Sequence, residues 1–304
     1  MISIIIPVYK SGKTLLELHV QLKKELSSIK NEIIFVDDCS NDESWNVIKQ
    51  IFKNNENIKG YKFSKNFGQH AALLCGIRKA SGEIIVTMDD DFQHPPEKIK
   101  LLLDKVSDEC HVVYGTPLKQ NRSIFRNITS QIIKLLISFL TGKKHIRQVS
   151  SFRAFKTTLR DNFSNFKGTD VHIDTLLNWT TEKFGYVLLE HNQRKYSKSN
   201  YSFTKLYDTA LTMISNYGVS PLRLASLLGI LFSFLGFLLL FYIIGEYFIS
   251  GEKVRGFVFV TSIIIIFSGA QLFIMGIFGE YLTKILKKND NQPPYKIEEK
   301  IEKI

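Results

Sequence analysis

The chain is predicted to fold as an α/β domain with a mostly parallel, Rossmann-like sheet, followed by a very apolar C-terminal third. Three observations carry this. Short runs rich in Ile and Val recur at 2–6, 33–36, 58–63, 84–88 and 111–114. Most of them alternate with stretches of helical period, the pattern of buried parallel strands joined by crossover helices. Beyond residue 221 the composition switches to long, nearly uncharged apolar runs.

The elements follow in chain order. Met1-Ile2-Ser3-Ile4-Ile5-Ile6-Pro7 has no basic leader and no cleavage site, and reads as a buried first strand. Leu15, Leu16, Leu18, Leu22 and Leu26 mark a helix over 13–29, and further helices are expected at 41–54, 69–80 and 96–107. Ser40-Asn41-Asp42-Glu43 supplies capping chemistry for the second. Strand-like 149–155 and 185–190, with a helix at 171–183, complete a first domain over 1–202. Within it, Ile124, Phe125, Ile128, Ile132, Ile133, Leu135, Leu136, Phe139 and Leu140 crowd one side of an amphipathic helix at 124–141. That helix suits either a domain core or a membrane interface. A second amphipathic stretch at 203–217 lies in a juxtamembrane segment, 203–221.

Residues 222–249 and 256–282 are each long enough to cross a hydrocarbon core, which takes about 20 apolar residues, and predict a transmembrane hairpin over 222–283. Lys195, Lys198, Lys205 and Arg223 precede it and Lys284, Lys287 and Lys288 follow, against Lys253 and Arg255 in the connection. By the positive-inside rule both termini face the cytoplasm, with 284–304 as a cytoplasmic tail. Glu246 and Glu280, near the span ends, read as interfacial.

The net charge of +11 points to an anionic partner: phosphates, acidic headgroups or nucleic acid. Cys39, Cys75 and Cys110 are odd in number and lack metal-ligand spacing, so they read as reduced structural thiols. Ser11-Gly12-Lys13-Thr14 imitates the end of a phosphate-binding loop, but Pro7 stands where that loop requires glycine and removes an N–H. No GxGxxG follows the first strand.

The most informative stretch is Ile84-Ile85-Val86-Thr87-Met88-Asp89-Asp90-Asp91-Phe92-Gln93-His94-Pro95-Pro96, an apolar strand that runs straight into three carboxylates. Asp89 and Asp91, at alternate positions, suit one hard divalent cation, Mg2+ or Mn2+, that bridges to substrate phosphates. The other reading is a solvated acidic turn ahead of the helix that starts near Pro95 or Pro96. Pro7-Val8-Tyr9, Asp37-Asp38 and Lys65-Asn66 also end strands, the edge where open α/β sheets collect ligands.

The ordered set Ile6-Pro7-Val8-Tyr9, Val36-Asp37-Asp38-Cys39-Ser40-Asn41-Asp42, Ser64-Lys65-Asn66-Phe67-Gly68 and Met88 to Pro96 resembles glycosyltransferase family 2, with the GT-A fold. More narrowly it is similar to the polyprenyl-phosphate sugar transferases, a likeness that extends through Tyr201-Ser202-Phe203, Ser220-Pro221-Leu222-Arg223, and Gly269-Ala270-Gln271 to Gly279-Glu280-Tyr281. The resemblance implies that Pro7, Tyr9, Asp37 or Asp38, and Asp90 serve the donor nucleoside. It implies that Asp89 and Asp91, with Gln93, hold a metal on the diphosphate, and that Arg122, Arg126 and Arg194 handle donor and acceptor phosphates. The implied partners are a nucleoside-diphosphate sugar, a polyprenyl phosphate lipid and a bacterial-type cell membrane, not nucleic acid; self-association stays open.

Departures from the family pattern are equally specific. Lys10 and Ser11 replace the usual Asn-Glu, Lys119 stands for an arginine, and His94 for an acid or amide. Ser197-Lys198-Ser199-Asn200 replaces Gly-x-Ser-Lys. Ser151, ahead of Phe152-Arg153, occupies the place of an aspartate, so no carboxylate base is assigned there.

Overall fold

The computed structural model describes residues 1–118, 149–168, 171–189, 256–289 and 293–303, with scattered helical positions between 229 and 249. Two compact units divide the chain: Met1–Leu135 with Lys143–Tyr201 and Asn291–Ile304, and Leu136–Gly142 with Ser202–Asp290.

The first unit is built on an eight-stranded sheet in the order β7-β5-β6-β4-β1-β2-β3-β8. Its strands are β1 (Ile2–Val8), β2 (Asn31–Asp37), β3 (Ile58–Phe63), β4 (Ile84–Thr87), β5 (Val112–Pro117), β6 (Arg153–Lys156), β7 (Phe184–Leu189) and β8 (Ile297–Ile301). β1 pairs in parallel with β2 and β4, β2 with β3, and β5 with β7, while β6 and β8 run antiparallel to their neighbours. The carboxyl ends of β1 to β4 therefore lie along one edge, the edge that carries Tyr9, Asp38, Lys65 and Asp89.

Strand alternation assigns the two faces. Ile4, Ile6, Ile33 and Phe35 pack with helices α1 (Leu15–Glu25), α2 (Ser44–Lys53) and α4 (Ile99–Leu103). Ile5, Ile34 and Val36 pack with α3 (Gln69–Lys79) and α5 (Ile173–Thr180). Both faces are covered, which is why these strands are mostly apolar rather than alternating. Pro7 sits inside a central strand without loss: β4 pairs with β1 only from Ile2 to Ile5, so no ladder bond from a Pro7 N–H is needed on that side.

The C-terminal segment differs from the expected tail. Ile297–Ile301 adds to the sheet beside β3, where Trp45 Nε1 donates to Glu299 Oε2 at 2.8 Å and Tyr61 Oη donates to Glu302 Oε2 at 2.6 Å. Gly60 permits this approach, since a Cβ there would lie 2.7 Å from Ile301 Cγ1. A bulge between Lys62 and Phe63 turns Ile297 to the other face, against the cluster that includes Phe63.

The second unit contains α6 (Phe257–Asn289), 33 residues long and about 50 Å by helical rise. Among the residues whose side chains are described, no helical stretch is long and apolar enough to cross a membrane; many α6 side chains fall outside that set.

Candidate active site

The strand-end loops hold one another through side chains. Lys10 N donates to Ser40 Oγ at 2.9 Å, Ser11 N to Ser44 Oγ at 2.9 Å and Gly12 N to Asp42 Oδ2 at 3.2 Å. These three amides are taken up by side chains of the loop after β2 and the start of α2. Asp42 Oδ1 also takes the Ser44 amide at 3.1 Å, so the expected capping chemistry at the start of α2 is present as an Asx turn.

The two aspartates that end β2 have different surroundings. Asp38 accepts from Phe67 N at 2.7 Å and from Gly68 N at 2.9 Å, which fixes the loop between β3 and α3. Gly68 has φ 92, a conformation that favours glycine. Asp37 is fully buried and takes the Ser40 amide at 3.2 Å on Oδ1, while its Oδ2 is buried without a hydrogen-bond partner. Burial raises both carboxyl pKa values; Ser40 and Lys62 pull Asp37 back, and the Phe67 and Gly68 amides pull Asp38 back. Of the expected nucleoside group, Tyr9 is open, with 49% of its surface exposed, and Pro7 is buried.

The acidic turn is held from three sides. Asp89 Oδ1 accepts from Gln69 Nε2 and Oδ2 from Ser151 Oγ, each at 2.7 Å. The Asp89 amide donates to His94 Nδ1 at 3.0 Å, and the buried His94 ring stacks on Phe152 at 5.0 Å between centroids. Asp91 Oδ1 accepts the Gln93 amide at 3.1 Å, a turn closed by Phe92 in the left-handed region at φ 62. Such a conformation in a bulky residue costs on the order of 1–3 kcal/mol and survives only where the surroundings enforce it. Asp90 has a buried Oδ2 without a hydrogen-bond partner. Burial pushes its carboxyl up to about 7, opposed by a Ser11 hydrogen bond and aided by the charges of Asp89 and Asp91.

The donor set fits a hard cation in part. Asp89 and Asp91 offer oxygen ligands, but among the described residues no three His, Cys, Asp or Glu side chains gather as a metal cluster. A cation here would complete its shell with oxygens from elsewhere, as Mg2+ commonly does with waters and phosphates. Gln93 contributes its backbone amide to the turn. Arg122, Arg126 and Arg194, like the 124–141 and 203–217 segments, lie outside the described residues.

Local sequence reasoning did not find the roles of Gln69, His94 and Ser151. Gln69 and Ser151 reach Asp89 from α3 and from the segment before β6, and no local spacing signals that, whereas His94 folds back from within the same turn. The nearest signal was the departure at Ser151 itself, whose hydroxyl now donates to Asp89 instead of standing as a second acid beside it.

The mostly parallel α/β domain has the GT-A fold. The fold is shared with glucosyl-3-phosphoglycerate synthase from Mycobacterium tuberculosis, crystallised with Mn2+, uridine diphosphate and phosphoglyceric acid, at TM-score 0.53 and 16% identity over 72% of this chain and 78% of that one. It is also shared with mannosyl-3-phosphoglycerate synthase from Rubrobacter xylanophilus, at TM-score 0.50 and 11% identity over 71% and 72%. Residues 3–172 match the pattern of glycosyl transferase family 2, and the chain belongs to that family. It is a glycosyltransferase. Relatives from Salmonella choleraesuis strain SC-B67 and Salmonella paratyphi B, both named undecaprenyl-phosphate 4-deoxy-4-formamido-L-arabinose transferase, are 32% identical over 307 residues, covering 99% of this chain and 93% of theirs.

Proposed function

We propose that this chain is an inverting, divalent-metal-dependent transferase that moves a hexose-like sugar from a nucleoside diphosphate to polyprenyl phosphate at the cytoplasmic face of a bacterial-type cell membrane. The observation that carries the reading is the Asp89–Asp91 turn at the sheet edge of a chain whose likeness to lipid-phosphate transferases runs nearly end to end.

In this reading Tyr9, with Pro7 and Asp37 behind it, borders the nucleoside, and Asp38 acts by holding the loop over Phe67 and Gly68. Asp89 and Asp91 would hold Mg2+ or Mn2+, which when bound would supply positive charge to stabilise the leaving diphosphate. Arg122, Arg126 and Arg194 grip the phosphates, for which guanidinium forks are suited. An acceptor phosphate oxygen bonds to the anomeric carbon as the bond to the diphosphate oxygen breaks, and the nucleoside diphosphate leaves. No carboxylate base is needed at Ser151, because a phosphate monoester with a second pKa of about 6 is largely ionised at neutral pH. Orientation of that acceptor is the larger requirement. In this reading the apolar runs over 222–283 anchor the chain in the membrane that holds the acceptor lipid.

The test is transfer of radiolabel from a panel of nucleotide sugars into organic-extractable lipid, by full-length protein supplied with undecaprenyl phosphate. At least one donor should label the lipid, and EDTA, Asp89→Asn or Asp91→Asn should each cut the rate by at least about a hundredfold with thermal unfolding little changed. Full activity in EDTA would overturn the metal assignment.

A further inference from the structure

Arg153 is a cation at 1% exposure in the middle of the sheet, on β6. A guanidinium taken out of water needs an opposing charge and acceptors for its N–H groups. Both are present, and they lead toward Asp89. Its Nη1 pairs with Asp174 Oδ1 at the start of α5, and the same oxygen accepts the Tyr114 hydroxyl at 3.0 Å. Its Nε donates to Thr87 Oγ1 at 3.1 Å. Thr87 and Tyr114 are the cross-strand partners of Arg153 on β4 and β5, so the side chain is fixed from both neighbouring strands.

The direction of these bonds is determined. Arg153 Nε can only donate, so the Thr87 oxygen accepts and its own proton goes to the Ser151 carbonyl at 2.7 Å. The Ser151 hydroxyl then donates to Asp89 Oδ2 at 2.7 Å. A pair that served only to tie α5 to the sheet would need the Asp174 contact alone. Here the second N–H of Arg153 engages a hydroxyl whose proton fixes the segment that carries Ser151. Asp174 lies two residues beyond the family-matched span, which ends at 172.

We propose that the buried Arg153–Asp174 pair is a positioning device for sugar transfer: acting through Thr87 and Ser151, it sets the direction in which the Asp89 carboxylate faces the donor diphosphate. This rests on the reading of Asp89 given under Proposed function. Arg153 and Asp174 touch neither sugar nor phosphate in it; they act through the two hydroxyls.

Thr87→Val keeps the shape and the ion pair but deletes the link, and Thr87→Ser restores the hydroxyl. Arg153→Met combined with Asp174→Leu removes both charges together, a change that buried pairs often tolerate in folding. Full-length protein is titrated with Mn2+ alone, followed by the paramagnetic resonance signal of the free ion, and turnover is measured with the donor found active. Thr87→Val and the double variant should each weaken Mn2+ binding and lower kcat by about tenfold or more, with a smaller change in donor KM, and Thr87→Ser should stay within about twofold of wild type. Should Thr87→Val not fold, the double variant carries the same test. Mn2+ affinity and kcat within about twofold of wild type in the folded variants, with only the unfolding temperature shifted, would make the pair a tether and overturn the proposal. A wild-type protein that binds Mn2+ yet labels no lipid would sink the functional reading alone, because the Mn2+ titration still decides this one.

Discussion

Asp37 and Asp38 are neighbours in sequence, yet one has a buried oxygen without a partner and the other has both oxygens bonded to backbone amides. Such contrasts decide what each residue can do, and His70 gives one that titrates. Its Nδ1 accepts the Ile173 amide at 3.4 Å and its ring lies 4.8 Å from that of His172. Burial drives the His70 pKa down to about 4; Asp174 draws it up, and His172 and Arg153 push it further down. The folded value lies below the unfolded one, so His70 is neutral in the fold and its contribution is complete above about pH 6.5. As pH falls from there toward 4 the unfolded state takes a proton that the folded state refuses, and stability is lost. His70→Gln should therefore flatten the acid limb of stability between pH 6.5 and 4.5 by up to one proton's slope, about 1.4 kcal/mol per pH unit. Urea unfolding at a series of pH values checks this, and an unchanged slope would refute it.

At the scale of elements, β8 is the strand that most needs a test. Residues 296–304 supply Glu299 to Trp45 and Lys49, Glu302 to Tyr61, and Ile301 to the space beside Gly60. Their deletion should lower the unfolding temperature by about 5 °C or more, and leave β3 as an open edge prone to association. No change in either property would make β8 an accessory. The same strand marks where sequence reading stops. β1, β2 and β4 are legible because Ile and Val runs buried on both faces leave a local trace, and β3 through Ile58, Tyr61 and Phe63 around Lys59 and Lys62. The acidic turn was legible because an apolar strand broke into three acids. β8 was read as tail because Glu298, Glu299 and Lys300 outnumber its two isoleucines, and the face it needs belongs to a strand some 240 residues earlier. The helix expected over 96–107 divides into a 3-10 turn at Pro96–Lys98 and α4, after which the chain tightens into bonds such as Lys105 N to Leu102 O at 3.2 Å. Gln69 and Ser151 reach Asp89, and Arg153 and Asp174 are linked to it through Thr87 and Ser151, only after the sheet is assembled, and local spacing does not announce it.

At the scale of the whole molecule, the solved structures give the fold alone, and the acceptor proposed above rests on the sequence relatives. The fold is that of enzymes whose names carry phosphoglycerate, a small soluble anion. The sequence, along nearly its full length, is similar to that of enzymes named for undecaprenyl phosphate, at 32% identity. Both acceptors present a phosphate, so the positive charge of +11 does not distinguish them. The apolar runs at 222–249 and 256–282 do under the proposed reading, in which they anchor the chain in the bilayer that holds a lipid acceptor. The most direct measurement is therefore a competition. Full-length protein in detergent micelles receives one active radiolabelled nucleotide sugar with undecaprenyl phosphate and 3-phosphoglycerate at equal concentration, and the products are separated by butanol extraction. The account predicts label in the organic phase and none above background in the aqueous acceptor; label on phosphoglycerate with an unlabelled lipid would contradict it.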